Sequence, residues 1–293
     1  MHRLPASMGD LSTCVLCGPT PATLVVAANG FRIVRCGRCN LVFVDGARDL
    51  ENLDTFYSGT YYQGEDNAVY GYRDYTADRS IHLKNSQVLL SVIERAATGS
   101  GRVLLDVGCA HGFFLRAAQA RGWVPHGVDI SAEAVEYARR DLGLAVTRGN
   151  IDDCRLPPLS VDVVTLIGTI EHLTDPMRTL RSAARLLRSG GLLAITTPDI
   201  EGRLGYFSWK PPEHLFYFSA RTLARLLDET GFVVELRRIE WKYYGLADLG
   251  QRLWGYWGLP NPNRWARALE SVGLGRLSVK IPTNEMLVIA RRR

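Results

Sequence analysis

Two kinds of hydrophobic spacing alternate along most of the chain. Short continuous apolar runs predict buried strands at Arg102–Val107, Val124–Asp129, Ala145–Arg148, Val161–Ile167 and Gly191–Thr197. Between and after them, apolar positions recur every three or four residues and predict helices at Gly112–Arg121, Ala132–Asp141, Pro176–Arg188 and Arg221–Thr230. Ser131 and Ser219 stand where helices should begin, and Gly122, Gly143, Gly190 and Gly231 where they should stop. Runs at Phe232–Ile239 and Met286–Ala290 would complete a sheet. Strands alternating with helices predict an α/β fold with a mainly parallel, doubly wound sheet.

Upstream the pattern changes. Val88, Leu89, Val92, Ile93 and Ala96 give a helical period over Ser86–Ala97. Thr23–Ala27, Phe31–Val34 and Leu41–Val44 read as short strands set among four cysteines, and residues 1–12 as a frayed leader. Tyr57, Tyr61, Tyr62, Tyr70, Tyr72 and Tyr75 crowd a polar connector. The boundaries drawn are a cysteine module at 1–46, a tyrosine-rich connector and helix at 47–98, and the α/β domain at 99–293.

Composition narrows the classes. Of 293 residues 46% are hydrophobic and 22% charged, so a buried core is expected and long disorder is not. The net charge of +5 comes mostly from arginine, and it forms no dense basic stripe, which argues against a nucleic-acid partner. No stretch approaches the roughly 20 apolar residues of a membrane span. With no secretory leader pattern and paired cysteines that suit a metal, the expected location is cytoplasmic.

The first candidate site is Val103-Leu-Leu-Asp-Val-Gly-Cys-Ala-His-Gly112. A buried strand ends on Asp106, and Gly108 and Gly112 let backbone approach a ligand before a helix starts. The spacing is not the G-x-G-x-x-G of dinucleotide folds, and a carboxylate ahead of the first glycine would repel a pyrophosphate. It would attract the ammonium of S-adenosylmethionine (SAM). Asp129, twenty-three positions later at the next strand end, can accept from ribose hydroxyls. After the third strand, Asp152 is placed to accept from the adenine amino group, with Ile151 against the ring.

Leu105-Asp-Val-Gly-Cys-Ala-His-Gly112, Gly127-Val-Asp-Ile-Ser131 and Val161-Asp-Val-Val-Thr-Leu-Ile-Gly-Thr-Ile-Glu-His-Leu-Thr-Asp-Pro176 resemble the successive motifs of class I SAM-dependent methyltransferases. The resemblance implies a Rossmann-like, seven-stranded sheet whose last strand is antiparallel. Ala110 stands where many members carry Gly.

Methyl transfer needs an aligned acceptor and removal of its proton, so candidate groups should lie at the carboxyl ends of the strands. Glu171-His172 follows the fourth strand, and Glu213-His214 the fifth. His214 is the first choice for general base, with His172 and Glu213 in support. No third ligand is evident beside the two histidines, so this reading places no metal there. Glu-His-Leu-Phe-Tyr-Phe-Ser219 and the cysteines resemble zinc-containing methyltransferases of deoxysugar and natural-product pathways. That resemblance implies site roles for His172, His214, Glu213 and an upstream Tyr for which Tyr61, Tyr62 and Tyr70 all qualify. Pro211-Pro212 stand where a Tyr is expected, and there is no room for the C-terminal domain of the sugar C-methylating members. O-methylation of a sugar, sugar conjugate or other small metabolite is thus as well supported as C-methylation.

Cys14-x-x-Cys17 and Cys36-x-x-Cys39 lie eighteen residues apart on two tight turns. Four thiolates aimed at one point make a closed structural zinc site, here a zinc ribbon. Two disulfides or a redox pair are the alternatives. A zinc module ahead of such a core also resembles some ribosomal-RNA methyltransferases. Diffuse charge and Gly-Thr-Ile-Glu-His in place of a Pro-Pro-Tyr type motif argue against that reading. A non-catalytic binder on the same fold is the third alternative. Trp241, Trp254, Trp257 and Trp265 with Arg252, Arg264, Arg267 and Arg276 mark an aromatic segment. It is read as helices packed on the core, with a lid, a homodimer surface or contact with a lipid-linked substrate as alternatives.

Overall fold

The alternation folds, in the computed structural model, into two sheets that share packing. The structure describes residues 11–47, 79–97, 99–202, 209–246, 249 and 277–293. The tyrosines of the connector and the aromatic segment from 250 to 276 lie outside them.

The larger sheet has seven strands: β5 (Val103–Val107), β6 (Val124–Asp129), β7 (Ala145–Arg148), β8 (Val161–Ile167), β9 (Leu187–Pro198), β11 (Phe232–Gly245) and β12 (Ser278–Arg292). Their order is β11-β12-β9-β8-β5-β6-β7, and β12 is antiparallel to both neighbours. Strands β5 to β9 pair in parallel and are nearly continuous in apolar residues because helices cover both faces. On one face Leu90, Ile93, Leu115, Ala118 and Ala138, from α1 (Arg79–Ala96), α2 (Phe113–Ala120) and α3 (Ala132–Arg140), form a core. On the other, α4 (Pro176–Leu186) and α5 (Ala220–Glu229) contribute Leu180, Ala183, Leu223 and Leu226. Each such leucine contributes about 1.5–3 kcal/mol on leaving water.

Helix starts follow their caps. Ser131 Oγ accepts from Ala134 N at 3.3 Å, Asp175 Oδ1 from Arg178 N at 3.0 Å, and Ser219 forms a reciprocal box with Thr222. Helix α4 ends at Leu186, two residues before the expected end, because β9 starts at Leu187.

The smaller sheet runs β1 (Leu11–Cys14), β2 (Gly18–Ala28), β3 (Phe31–Cys36), β4 (Val42–Val44) and β10 (Phe216–Tyr217). Two of its strands were not expected. Leu11 and Ser12, read as leader, pair with Pro21 and Thr20. Strand β10 belongs to the segment after β9, yet it pairs with β4 through Phe216–Phe43 and Tyr217–Val42. The cysteine module is thus knit into the α/β domain, and Ile33, Val34, Val42 and Phe43 share one core with α4 and α5.

Strands β11 and β12 run well past the expected ends. Trp241–Gly245, expected to pack as helix, is strand pairing with Ser278–Pro282. Shifts of register near Leu236 and Trp241 bend this long hairpin. No helix of the described residues is long and apolar enough to cross a membrane.

Candidate functional site

Because β5 to β9 are parallel, the loops leaving them share one edge of the sheet. Strand β5 has β6 on one side and β8 on the other, so the chain direction switches beside it, where open α/β sheets form a ligand crevice.

Asp106 lies at this switch and is 2% exposed. Its Oδ1 accepts from Thr165 Oγ1 on β8 at 2.6 Å. Burial pushes its carboxyl up to about 7, with the nearby charge of Asp129 adding to the rise and the Thr165 hydroxyl opposing it. Among the described residues no cation pairs with it. Such a carboxylate fits an incoming ammonium.

The following loop is held in left-handed backbone at Gly108 (φ 75°), Ala110 (φ 46°) and Gly112 (φ 80°). A side chain at Gly108 would come within 2.6 Å of Thr169, and one at Gly112 within 2.6 Å of Leu144. Gly112 caps α2 without a side chain, so the first turn of that helix takes no acceptor from its cap. Asp129, at the end of β6, fastens the loop. Its Oδ2 accepts from Ala110 N at 2.8 Å and its Oδ1 from Ser131 N at 2.9 Å. Burial raises this carboxyl as well. Each oxygen keeps a second lone pair for hydroxyl donors.

Ile151 is 2% exposed in a one-turn segment after β7, Ile151–Asp153. Asp152, the residue expected to meet the adenine amino group, is held by a neighbouring helix. Its carboxylate accepts from Ser182 Oγ, from Arg178 Nε at 2.8 Å and from Arg185, all on α4, and these partners hold it below the ordinary carboxylate range. It ties the β7 turn to α4. Sequence spacing does not show these partners, because they arrive from a helix some thirty residues away.

The two Glu-His pairs meet. The His172 and His214 rings stand edge to face at 4.9 Å between centroids. His172 Nδ1 lies 2.6 Å from the carbonyl of Glu213 and donates to it. Glu171, also at this rim, was missed as a site residue. It is 3% exposed, its Oε2 accepts from Thr197 Oγ1 at 2.9 Å, and its Oε1 is 3.9 Å from His172 Nε2. Burial raises its carboxyl, and His172 opposes the rise. A third ligand atom, absent from the sequence reading, therefore stands beside the histidines: one atom each from Glu171, His172 and His214 lie within 4.8 Å of one another. The adjacency Glu171-His172 was the only sequence signal, and Thr165 and Thr197 offered none.

The cysteine module reaches this rim by backbone. Val44 N donates to Leu215 O, and Leu215 N to Glu171 O, each at 2.8 Å. Asn29 Nδ2 donates to Pro211 O at 3.0 Å. The Tyr217 ring lies 6.2 Å from that of His214 and 4.7 Å from that of Trp209. Sulfurs of Cys14, Cys17, Cys36 and Cys39 lie within 4.8 Å of one another, as a ribbon requires, and Arg38 N donates to Cys36 Sγ at 3.4 Å.

Comparison with known proteins agrees with this architecture. The model of a family described as "Methyltransferase domain" matches residues 81–236, more than half of the chain. An S-adenosylmethionine-dependent methyltransferase, so named, of Mycolicibacterium smegmatis is 34% identical over 157 residues, covering 52% of this chain and 60% of its own. The ubiquinone biosynthesis O-methyltransferase of Coxiella burnetii is 30% identical over 124 residues, covering 41% of this chain and 53% of its own. The match thus spans little more than half the length of these relatives. Among solved structures, the Haloferax volcanii complex of the Trm112 methyltransferase activator with a methyltransferase contains a chain that aligns with a TM-score of 0.53 at 19% identity, covering 74% of this chain and 94% of that one. The fold is the Rossmann-like fold of class I methyltransferases. The chain belongs to the methyltransferase-domain family.

Proposed function

We propose that the protein is a SAM-dependent methyltransferase acting on a small-molecule acceptor: a sugar, a sugar conjugate or another natural-product intermediate. The observation that carries this reading is Asp106, a buried carboxylate paired with no cation of the described residues, set between a left-handed glycine loop and Asp129 at the switch of the sheet. Asp106 would hold the ammonium, Asp129 the ribose hydroxyls, Gly108 and Gly112 the close backbone approach, and Ile151 one face of adenine. When bound there, SAM supplies an electrophilic methyl on a sulfonium.

The chain's own task is to place the acceptor in line and relieve it of a proton. His214 is the group proposed for that step. His172, oriented by the Glu213 carbonyl, and Glu213 itself support it. The name of the Coxiella relative, an O-methyltransferase, supports oxygen as the methylated atom and a small hydroxylated acceptor. The four converging cysteines support a structural zinc, which would close the ribbon and do no chemistry.

The test is methyl transfer from labelled SAM into a panel of hydroxylated sugars and phenols. His214→Ala should lose turnover by 100-fold or more, the scale of one acid–base group, while S-adenosylhomocysteine affinity is unchanged. A His214→Ala enzyme with normal turnover removes His214 from the role.

A further inference from the structure

We propose that Glu171, His172 and His214 form a binding site for a divalent cation that takes the acceptor's oxygen. The inference rests on the rim being the acceptor end of the methyltransferase site. It goes beyond that reading at one point: with the cation bound, His214 is a ligand and the acceptor's proton leaves to water.

Three observations carry it. The donor set is two imidazoles and one carboxylate, the open three-ligand set that binds divalent first-row metals and leaves positions for substrate. The ligand atoms already lie within 4.8 Å of one another, from three side chains fixed by two separate loops. With bonds of about 2.1 Å, neighbouring ligand atoms stand about 3.0–3.4 Å apart, so a cation would draw this set in by about an ångström. The outer partners are in place as well. Ligating histidines usually donate their other ring N–H to a carbonyl or carboxylate, and His172 Nδ1 does so to Glu213 O at 2.6 Å. Ligating carboxylates are themselves hydrogen-bonded, as Glu171 is to Thr197 at 2.9 Å. The partly exposed side of His172 leaves a path for the acceptor.

The chemistry balances without a redox partner. A hydroxyl bound to the cation is more acidic and releases its proton to water. Its oxygen then forms the bond to the methyl carbon while the carbon–sulfur bond of the sulfonium breaks. The electron pair goes to sulfur, leaving a neutral thioether.

The test uses the full chain, treated with a mild chelator and titrated with Mn2+, followed by electron paramagnetic resonance. Four thiolates disfavour this hard ion, so the ribbon does not interfere. The expected result is one bound Mn2+ per chain, with affinity at least tenfold lower in both Glu171→Gln and His214→Gln. S-adenosylhomocysteine is titrated into the same samples, and its unchanged affinity shows that the variants are folded. Wild type that binds no Mn2+, or binds it equally well in both variants, overturns the proposal. S-adenosylhomocysteine bound by a wild type that takes no Mn2+ overturns the cation alone. Mn2+ bound by a protein that never binds S-adenosylhomocysteine overturns the acceptor role and the reading beneath it.

Discussion

Asp106 and Asp129 are both buried carboxylates, yet their surroundings set them different tasks. Asp129 receives two backbone N–H groups, whereas Asp106 receives one hydroxyl and is raised to about 7. Between about pH 4 and 7 the native Asp106 keeps a proton that an unfolded chain has released. Its contribution to stability therefore falls as pH rises through that window and is level above it. An ammonium ligand needs the charged form, so binding below pH 7 must expel the proton. Affinity for S-adenosylhomocysteine should drop as pH falls from 7 to 5, by up to tenfold per unit, and the drop should vanish in Asp106→Asn. Calorimetry in buffers of different ionisation heat reads the released proton directly. An affinity that is flat with pH in wild type contradicts the assignment. Gly108→Ala is a second sharp case. Its methyl would meet Thr169 at 2.6 Å on left-handed backbone, and urea denaturation should show a loss of about 1–3 kcal/mol. Sequence alone indicated Asp106, Asp129 and both glycines, because each sits where a strand or turn ends. It did not show the α4 partners of Asp152 and it passed over Glu171, since those surroundings are brought by other elements.

The ribbon sheet and the acceptor rim are one hydrogen-bonded assembly through Val44, Leu215 and Glu171. Phe216 of β10 stacks on Phe43 of β4 and on Phe218, and is 2% exposed. Phe216→Ala should cost about 3–5 kcal/mol in denaturant, the usual range for a buried phenylalanine. Cys36→Ser, which would take away one ligand of the proposed structural zinc, should lower the thermal midpoint and depress turnover, with S-adenosylhomocysteine affinity little changed. The signature is that separation, because the proposed cofactor site lies at the ends of β5 and β6 and the proposed acceptor rim beside β8 and β10. A midpoint that does not move in Cys36→Ser would deny the cysteine module a structural metal. The strands of the large sheet were legible because buried parallel strands are continuous apolar runs. Strand β10 was not. Two residues carry no periodicity, and its partner β4 lies more than 170 positions earlier. The far halves of β11 and β12 were also hidden, because their aromatic and charged residues carry no continuous apolar run and are held by each other and by Lys84 and Asn85 of α1.

The fold joins a crevice at the switch of the seven-stranded sheet to a Glu-His-His rim that a cysteine module braces from outside. The α/β class and the four-cysteine module follow from pattern and spacing alone, whereas the docking of one on the other follows only from the register of β4 with β10. The central claim is that the crevice holds SAM. Isothermal titration with S-adenosylhomocysteine, on wild type and Asp129→Ala side by side, addresses it most directly. The account predicts micromolar binding by wild type and a loss of about 1–3 kcal/mol in the variant, the cost of stranding polar partners. A folded, zinc-loaded wild type that binds nothing would contradict it.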